Sequence, residues 1–256
     1  MTKSLLRYPG GKTRAVKKLL PFFPDGVELV CSPFLGGGSL EIALANKGIK
    51  VRGYDKFKPL VCFWQTLLKD KDNLYHEVEK IHSKMSKSFF KESQKKLSEN
   101  INKWTDLEIA SYFYALNRSS FSGTVLSGGY STPNHPRFNK QSIDRILNFS
   151  CENLQVEMRD FTQSIEMNEE CFLYCDPPYL LDGIKNKLYG NRGDLHEAFD
   201  HQKLLEILSK RKNWILSYNN SEVIREMYSE YEIVYPEWKY GMSKEKDSKE
   251  VLIINY

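Results

Sequence analysis

The chain has 256 residues, of which 41% are hydrophobic and 27% charged, and its formal net charge is +4. A chain of this length and composition folds as one large domain, or as a domain with an insertion, and buries a sizeable core. It has neither an apolar run of the roughly 20 residues that a membrane helix needs nor a signal-peptide core after Met1, so we expect no membrane partner.

Positive charge is concentrated in the first part of the chain. Residues 1–58 carry a net charge of +7, residues 59–154 carry +3 and residues 155–256 carry −6. This asymmetry is typical of a polyanion-binding face, although a solvated basic surface produces the same pattern.

The five cysteines show no paired spacing, which favours reduced thiols in a cytoplasm, either bacterial or that of the host of a phage. Cys171 and Cys175 lie in a predicted strand without a second ligand pair, so we expect buried thiols there and no metal site.

The N-terminal segment combines a glycine turn with a helix start. Tyr8-Pro9-Gly10-Gly11-Lys12 lets the backbone approach a ligand closely, and a helix is predicted from Thr13 to Leu20. Lys12 is then expected near an anionic group, although a surface turn with a solvated lysine fits the same residues.

A strand, a glycine turn and a helix follow. Residues 27–31 predict a strand, Pro33-Phe34-Leu35-Gly36-Gly37-Gly38-Ser39 a turn, and residues 40–45 a helix. The turn is similar to the nucleotide-binding turn of Rossmann-like folds but lacks their spaced glycine fingerprint. Residues 50–54 predict a second strand with Asp55 at its tip, where a carboxylate is placed to accept hydrogen bonds from both hydroxyls of a ribose.

Residues 59–154 interrupt this alternation. Helices are predicted over residues 59–69, 74–84 and 89–100, and a capping box at Thr105 and Glu108 opens another to about residue 117. A glycine-rich exposed loop or hairpin over residues 118–132, extended by residues 134–140, precedes a helix over 141–148. We interpret the block as an inserted, mostly helical subdomain.

The alternation resumes after residue 154. Strands are predicted over residues 154–158, 171–175, 214–218, 231–235 and 251–254, and the first of them ends at Asp160 and Phe161. Helices are predicted from Asp200 to residue 211 and from Ser221. Residues 180–195 predict a long loop of the kind that acts as a lid.

Asp176-Pro177-Pro178-Tyr179 follows the strand of residues 171–175. The two prolines fix φ and lack N–H donors, so the chain leaves the strand stiffly. A planar amino group fits between the Asp176 carboxylate and a proline carbonyl while its ring stacks on Tyr179. A strand that simply ends in a Pro-Pro turn is the structural alternative.

Four stretches together resemble the Dam-type, alpha-group DNA adenine-N6 methyltransferases. They are residues 8–12, residues 33–39, the loop of residues 117–123 and residues 176–179, in this order over nearly the whole chain. Residues 217–220 and 249–253 are also similar to the family. The resemblance implies an α/β fold, a Rossmann-like class I methyltransferase sheet with an inserted DNA-recognition subdomain. The expected division is 1–58 and 155–256 for the catalytic part and 59–154 for target recognition.

The resemblance also implies the site. S-adenosyl-L-methionine is the expected cofactor, bound by Tyr8, Gly10, Lys12, Phe34, Gly36, Gly38, Ser39, Asp55, Asp160, Phe161 and Asp176. Asp176, Pro177 and Tyr179 are the expected catalytic residues, which hold a flipped adenine. Double-stranded DNA is the expected partner, contacted by Arg118, Ser119, Phe121, Ser122, Arg137 and Lys140, with Phe121 as a wedge in the duplex.

The expected reaction is an in-line attack of the adenine amino nitrogen on a sulfonium methyl group, without a covalent enzyme intermediate. Positioning of two bound reactants supplies up to about 7–11 kcal/mol of the barrier. Two positions depart from the family pattern: Ser32 stands where an acid is frequent, and Leu126 stands near the arginine with which GATC-specific members read a guanine. The sequence therefore does not predict GATC as the recognition sequence, and it leaves open the oligomeric state and a cognate restriction endonuclease.

Alternatives remain at this point. An N4-cytosine methyltransferase usually has serine at the place of Asp176, and protein-glutamine or RNA N-methyltransferases use similar proline elbows. The N-terminal Gly-Gly-Lys stretch and the long insertion are not expected in the latter two. A non-catalytic DNA-binding relic is disfavoured by the intact Asp176, Tyr179 and glycine turn.

Overall fold

A computed structural model of the chain describes residues 2–99, 101–131, 137–180, 199–236 and 250–256. Its strands are β1 (Leu29–Ser32), β2 (Lys50–Asp55), β3 (Leu154–Met158), β4 (Phe172–Cys175), β5 (Trp214–Asn219), β6 (Glu232–Val234) and β7 (Glu250–Asn255). Its helices are α1 (Val16–Leu19), α2 (Ser39–Ala45), α3 (Lys58–Lys69), α4 (Lys71–Lys84), α5 (Lys87–Glu99), α6 (Asp106–Ser119), α7 (Lys140–Leu147), α8 (Phe161–Glu166), α9 (His201–Leu208) and α10 (Glu222–Met227). Within these ranges no helix is both long and apolar enough to cross a bilayer.

The seven strands form one sheet in the order β3-β2-β1-β4-β5-β7-β6. The first five are parallel, and β7 runs antiparallel between β5 and β6. β4 is buried along its whole length, as expected for an apolar strand covered on both faces. This architecture confirms the predicted Rossmann-like methyltransferase sheet.

Alternate residues of the strands supply two apolar layers. Val30, Val51 and Tyr174 belong to a core cluster shared with α2, α3 and the helices up to α7. Cys31 and Leu173 belong to a second cluster on the opposite face, which includes buried residues of α8, α9 and α10. The sheet is therefore covered by helices on both faces, and all five cysteines are buried free thiols.

The strand order reverses between β1 and β4. The chain leaves β1 toward α2 and β2 on one side of the sheet, and it leaves β4 toward β5 on the other. Ligands of open α/β sheets bind in the crevice at the carboxyl ends of the strands at such a reversal. The glycine turn after β1 and residues 176–179 after β4 both lie at this edge.

Helices α3 to α7 separate β2 from β3 in sequence, as predicted. The predicted capping box at α6 is present, because the Thr105 hydroxyl accepts a bond from the Glu108 backbone and the Glu108 carboxylate accepts one from the Thr105 backbone. α3 packs against both β2 and β3 as well as against α6, so the inserted helices and one face of the sheet share a continuous core. The division of the chain at residues 58 and 154 stays a prediction.

Two local predictions differ from the structure. The first helix begins at Val16 instead of Thr13, because the Thr13 hydroxyl is bonded to Ser39 Oγ at 2.8 Å and does not cap the helix. Asp160 and Phe161, predicted at the end of a strand, open α8, since the Asp160 carboxylate accepts a bond from the Thr162 backbone. The predicted lid, apart from Leu180 itself, lies outside the described residues, as do residues 132–136 and Lys249.

Candidate active site and DNA-facing loop

A cavity of about 480 Å³ opens at the carboxyl ends of β1 and β4, within the usual size range of small-molecule sites. Its wall contains every residue predicted to bind a cofactor or to act in catalysis: Tyr8, Gly10, Lys12, Phe34, Gly36, Gly38, Ser39, Asp55, Asp160, Phe161, Asp176, Pro177 and Tyr179. The fold thus brings together residues that lie in five separate stretches of the sequence.

Asp176 is the first residue after β4, and its carboxylate meets the lysine of the N-terminal glycine turn. Lys12 Nζ donates to Asp176 Oδ1 at 2.8 Å and to the Tyr179 hydroxyl at 2.7 Å. The Tyr179 hydroxyl also donates to Asp176 Oδ1 at 3.2 Å. Within the described residues Asp176 Oδ2 accepts no hydrogen bond, and the side chain is 20% exposed, so an acceptor oxygen faces the cavity.

A second carboxylate, Glu250, lies behind this pair. Lys12 Nζ is 3.3 Å from Glu250 Oε1, and Ser217 Oγ donates to Glu250 Oε2 at 3.4 Å. Ser217 Oγ is also 3.4 Å from the Tyr179 hydroxyl. Lys12, Asp176, Tyr179, Ser217 and Glu250 thus form one hydrogen-bonded network, which we call the Lys12 network.

Burial and charge shift the titration of the Lys12 network. Although burial favours the neutral amine, the carboxylates of Asp176 and Glu250 raise the pKa of Lys12 above its ordinary value. Burial raises the pKa of Asp176 and of Glu250, and the Lys12 charge offsets part of each shift. Both carboxyls are therefore stronger proton acceptors than exposed ones.

The glycine turn provides space for the ring of Tyr8. A Cβ on Gly37 would lie 2.8 Å from Tyr8 Cβ, closer than nonbonded carbons approach. Gly36 has a φ of +48°, and a Cβ there would lie 3.1 Å from the Tyr8 ring. These glycines are required because the N-terminal segment crosses directly over the turn.

Asp55 lies at the tip of β2 and lines the same cavity as Lys12. Its Oδ2 accepts a bond from the Gly36 backbone at 3.0 Å, and its Oδ1 accepts one from the Phe57 backbone at 2.9 Å. The carboxylate is therefore fixed in orientation, and each oxygen retains a lone pair for a ligand hydroxyl.

Three phenylalanine rings form an apolar wall beside Asp55. Phe34 stacks on Phe161 with ring centroids 5.6 Å apart, and Phe199 lies 5.5 Å from Phe34 and 5.2 Å from Phe161. Sequence analysis missed Phe199; its only signal is an aromatic residue directly before the predicted cap Asp200. A flat heterocycle fits this wall.

Glu41 is a further carboxyl in the cavity wall, and the sequence does not predict it as a site residue. It accepts a hydrogen bond from Ser32 Oγ at 2.7 Å and is 3% exposed. Burial raises the pKa of Glu41 to about 7. Ser32, which replaces the acid frequent in the resembled family, thus has a carboxyl as its direct partner.

The Tyr174 hydroxyl in the cavity wall is buried and has no hydrogen-bond partner in the part of the chain that the structure describes. Buried hydroxyls are nearly always bonded, so a ligand or water in the cavity is its natural partner. This donor, the aromatic wall and the Asp55 carboxylate together fit a cofactor with a heterocycle, a ribose and polar substituents.

The loop predicted to meet DNA is fastened to the N-terminal segment. The Asn117 amide donates to the carbonyls of Arg7 at 2.8 Å and Gly123 at 3.0 Å, and its oxygen accepts from the Arg7 backbone at 3.0 Å. Phe121 projects from this loop with 73% of its surface exposed. Ser122 next to it has a φ of +55°, a strained conformation that the surrounding contacts maintain.

The other predicted DNA-binding residues divide by their contacts. Arg137 is exposed. Arg118 donates to the Arg137 carbonyl at 2.8 Å and burial lowers its pKa, so it holds the loop together. Ser119 is buried. Lys140 is bonded to Glu79 and Tyr75 and lies 3.3 Å from Asp144, so its charge is already paired within the protein.

Comparison with known proteins places these features in a family. The family model of the D12 class N6 adenine-specific DNA methyltransferases matches residues 8–242. The chain is 23% identical over 248 residues to the Type II methyltransferase M.CviBI of Paramecium bursaria Chlorella virus NC1A. The matched region covers 93% of this chain and 91% of that protein. It is 22% identical over 275 residues to the Type II methyltransferase M1.LlaDCHI of Lactococcus lactis subsp. cremoris, with 98% and 94% covered. It is 26% identical over 188 residues to the DNA N-6-adenine-methyltransferase of Escherichia phage P1, with 69% and 24% covered.

Proposed function

This chain belongs to the D12 class of N6 adenine-specific DNA methyltransferases, and from that premise we propose that it transfers the methyl group of S-adenosyl-L-methionine to N6 of an adenine flipped out of double-stranded DNA. The observation that carries the proposal is the position of Asp176, whose Oδ2 faces a cavity that is also lined by an aromatic wall and the Asp55 carboxylate. Acceptor and methyl donor therefore meet at one edge of the sheet.

Asp176 is the proposed acceptor for the amino group of the adenine. Its Oδ1 is fixed by Lys12 and Tyr179, so Oδ2 points in a defined direction before the base arrives. Asp176 Oδ2 and the Pro177 carbonyl then accept hydrogen bonds from the two N–H groups of the adenine amino nitrogen, which favours a tetrahedral nitrogen. The N6 lone pair would then bond to the methyl carbon while the carbon–sulfur bond breaks and its electron pair stays on the sulfur, and the proton lost from N6 would pass to solvent water.

The cofactor is proposed to lie between the glycine turn and the aromatic wall. Asp55 accepts the ribose hydroxyls, and Phe34 with Phe161 packs on the adenine ring of the cofactor. S-adenosyl-L-methionine supplies an electrophilic methyl group when bound. The residues of this chain orient it and exclude water, which supplies up to about 7–11 kcal/mol of the barrier.

DNA is proposed to contact the loop around Phe121. The exposed Phe121 ring is suited to occupy the position vacated by the base, which offsets part of the few kcal/mol that extrusion costs. Arg137 is proposed to meet a phosphate or a base edge. A role beside a restriction endonuclease, or as a solitary or phage enzyme, fits the Type II and phage relatives equally.

The experiment is methyl transfer to plasmid DNA with labelled S-adenosyl-L-methionine, followed by identification of the labelled nucleoside. We expect N6-methyladenine in the parent reaction and about 10²–10³-fold less of it with Asp176→Ala. Labelled N4-methylcytosine, or label in protein or RNA alone, would overturn the proposal.

A further inference from the structure

Glu250 reaches the active site because of the reversed direction of β7. It is the first residue of β7 and pairs with Asn219, the last residue of β5. Since β7 is antiparallel to β5, its first residue lies at the carboxyl edge of the parallel strands. A charged residue that opens an apolar strand is thereby brought to the edge that carries Asp176.

The Glu250 carboxylate is buried and contacts two polar groups of the Lys12 network. It is 5% exposed, and glutamate is almost never buried unless it is paired. Lys12 Nζ lies 3.3 Å from its Oε1, and Ser217 Oγ lies 3.4 Å from its Oε2. Lys12 and Ser217, the partners of the two Glu250 oxygens, both also contact the Tyr179 hydroxyl. Lys12 contacts Asp176 as well.

The charges of this arrangement do not balance. One ammonium, Lys12, lies between two carboxylates, at 2.8 Å from Asp176 and 3.3 Å from Glu250. A lysine bonded to Asp176 alone would neutralise it and hold its proton affinity low. Because Glu250 shares the ammonium and adds a like charge nearby, Asp176 keeps a higher proton affinity and is a stronger hydrogen-bond acceptor.

We propose that Glu250 is a positioning residue of the methyl transfer: it shares the Lys12 ammonium with Asp176 and, through Ser217, orients the Tyr179 hydroxyl. Glu250 is not among the residues that line the cavity in which the base and the methyl donor are proposed to bind. It acts on the electrostatics of Asp176 and on the placement of the Tyr179 ring. The inference rests on the proposed function, since it assumes that Asp176 accepts the amino group.

Glu250→Gln tests the proposal, because it removes the charge and keeps the size and one acceptor oxygen. We expect kcat to fall by about 10²-fold with KM values much less affected, because misplacement of a reacting group has costs of this order. We also expect the acidic limb of the pH–rate profile to move to lower pH, since Asp176 loses a like charge and gains the undivided Lys12. Lys12, Asp176 and Tyr179 face Glu250 and share this titration, and Tyr174 and Glu41 interact with the same charges.

A second readout needs no cofactor. In protein labelled with ¹³C at the aspartate carboxyls, the Asp176 resonance, assigned by its loss in Asp176→Asn, should titrate at lower pH in Glu250→Gln than in the parent. Glu232→Gln makes the same chemical change at an exposed position of β6. This control should match the parent in kcat, in the acidic limb of the pH–rate profile and in the titration of the Asp176 resonance. If Glu250→Gln fails to fold, Glu250→Asp is measured, with a smaller shift in the same direction expected.

The outcomes separate this inference from the function it rests on. An Asp176→Ala variant that keeps at least a third of the parent's rate overturns the proposed function. An Asp176→Ala variant slowed by about 10²–10³-fold, together with a Glu250→Gln variant that keeps the parent's kcat, or that is slower with an unshifted acidic limb and an unshifted Asp176 titration, overturns the role of Glu250 alone.

Discussion

Lys12 and Asp176 are separated by 164 residues, yet Lys12 Nζ lies 2.8 Å from Asp176 Oδ1. The contact joins the glycine turn of the N-terminal segment to the elbow after β4. A lysine that is 4% exposed depends on such a partner, because an unpaired buried ammonium is costly. The ion pair therefore closes the site from the N-terminal side and fixes the orientation of the Asp176 carboxylate.

Asp176→Ala should reduce the methylation rate by about 10²–10³-fold, because a preorganised contact to the reacting nitrogen is lost. Lys12 keeps Glu250 as a partner, so the variant should remain folded. Single-turnover transfer of labelled methyl groups measures the rate, and circular dichroism with thermal melting checks the fold. A folded variant with at least a third of the parent's rate would remove Asp176 from the chemistry.

Asp55→Asn should weaken the binding of S-adenosyl-L-methionine by about 1–3 kcal/mol, because the charged acceptor for the ribose hydroxyls is lost. One of the two backbone bonds from Gly36 and Phe57 can persist, since an amide oxygen still accepts. Calorimetry with cofactor measures the change, and DNA affinity without cofactor should stay constant. Asp72→Asn, at an exposed position of α4, is the matched control; equal cofactor affinities of the two variants would contradict the assignment.

Phe121→Ala should slow base flipping, and more so at a matched target than at a mismatched one, which is already easier to extrude. Stability should change by no more than about 0.5 kcal/mol, because the ring is 73% exposed. Fluorescence of 2-aminopurine at the target position reports flipping. Met167→Ala, which removes another exposed apolar side chain, should behave as the parent; an equal response of the two variants would mean that Phe121 is no wedge.

Arg137→Ala and Lys140→Ala should differ in their effect on DNA binding. Loss of one phosphate contact lowers the slope of log K against log salt by about 0.9. We expect this change for the exposed Arg137 and a smaller one for Lys140, whose charge is held by Glu79 and Asp144. If Arg137 reads a base instead, its loss relaxes one position of the site by roughly 1–3 kcal/mol. DNA binding at several salt concentrations detects a phosphate contact of Arg137, and methylation of a random-site library detects base reading. If Arg137→Ala changes neither the salt slope nor the site preference, the DNA contact lies elsewhere.

Local signals were sufficient for most of the fold. The apolar run of β4, the glycine turn before α2 and the capping box at Thr105 each depend on neighbouring residues only, and each was predicted correctly. α8 was missed because its cap, Asp160, had been interpreted as the end of a strand. The start of α1 was misplaced because Thr13 is bonded to Ser39, a residue of another element.

Site residues that belong to a local sequence motif were predictable. Site residues that reach the site only through the fold were not. The residues next to Asp176, and those within the glycine turn, form motifs that indicate a binding site from the sequence alone. Glu250 has no such neighbours; its place depends on the antiparallel direction of β7. In the sequence Glu41 resembles any polar residue of an amphipathic helix, and only the fold brings its carboxyl on α2 to Ser32 at the end of β1.

The buried Glu41 makes the stability of the protein depend on pH. An exposed or unfolded glutamate titrates near its ordinary pKa of 4.5, whereas burial raises the pKa of Glu41 to about 7 in the fold. The folded protein therefore holds this proton more tightly than the unfolded chain does. The contribution of the group to stability is fully present below pH 4.5 and is lost as the pH rises toward 7.

Glu41→Gln should abolish this dependence, because glutamine keeps an oxygen that accepts the Ser32 hydrogen bond and does not titrate. Relative to the variant, the parent should lose about 2–3 kcal/mol of unfolding free energy between pH 5 and pH 8. Urea denaturation of both proteins at the two pH values measures the difference, in which the titration of Asp176 and Glu250 largely cancels. Glu152→Gln, at an exposed position, controls for the loss of a glutamate as such. A parent and a Glu41→Gln variant whose stabilities run parallel between pH 5 and pH 8 would show that Glu41 is ionised throughout, and hence that an unrecognised positive group faces it in the cavity.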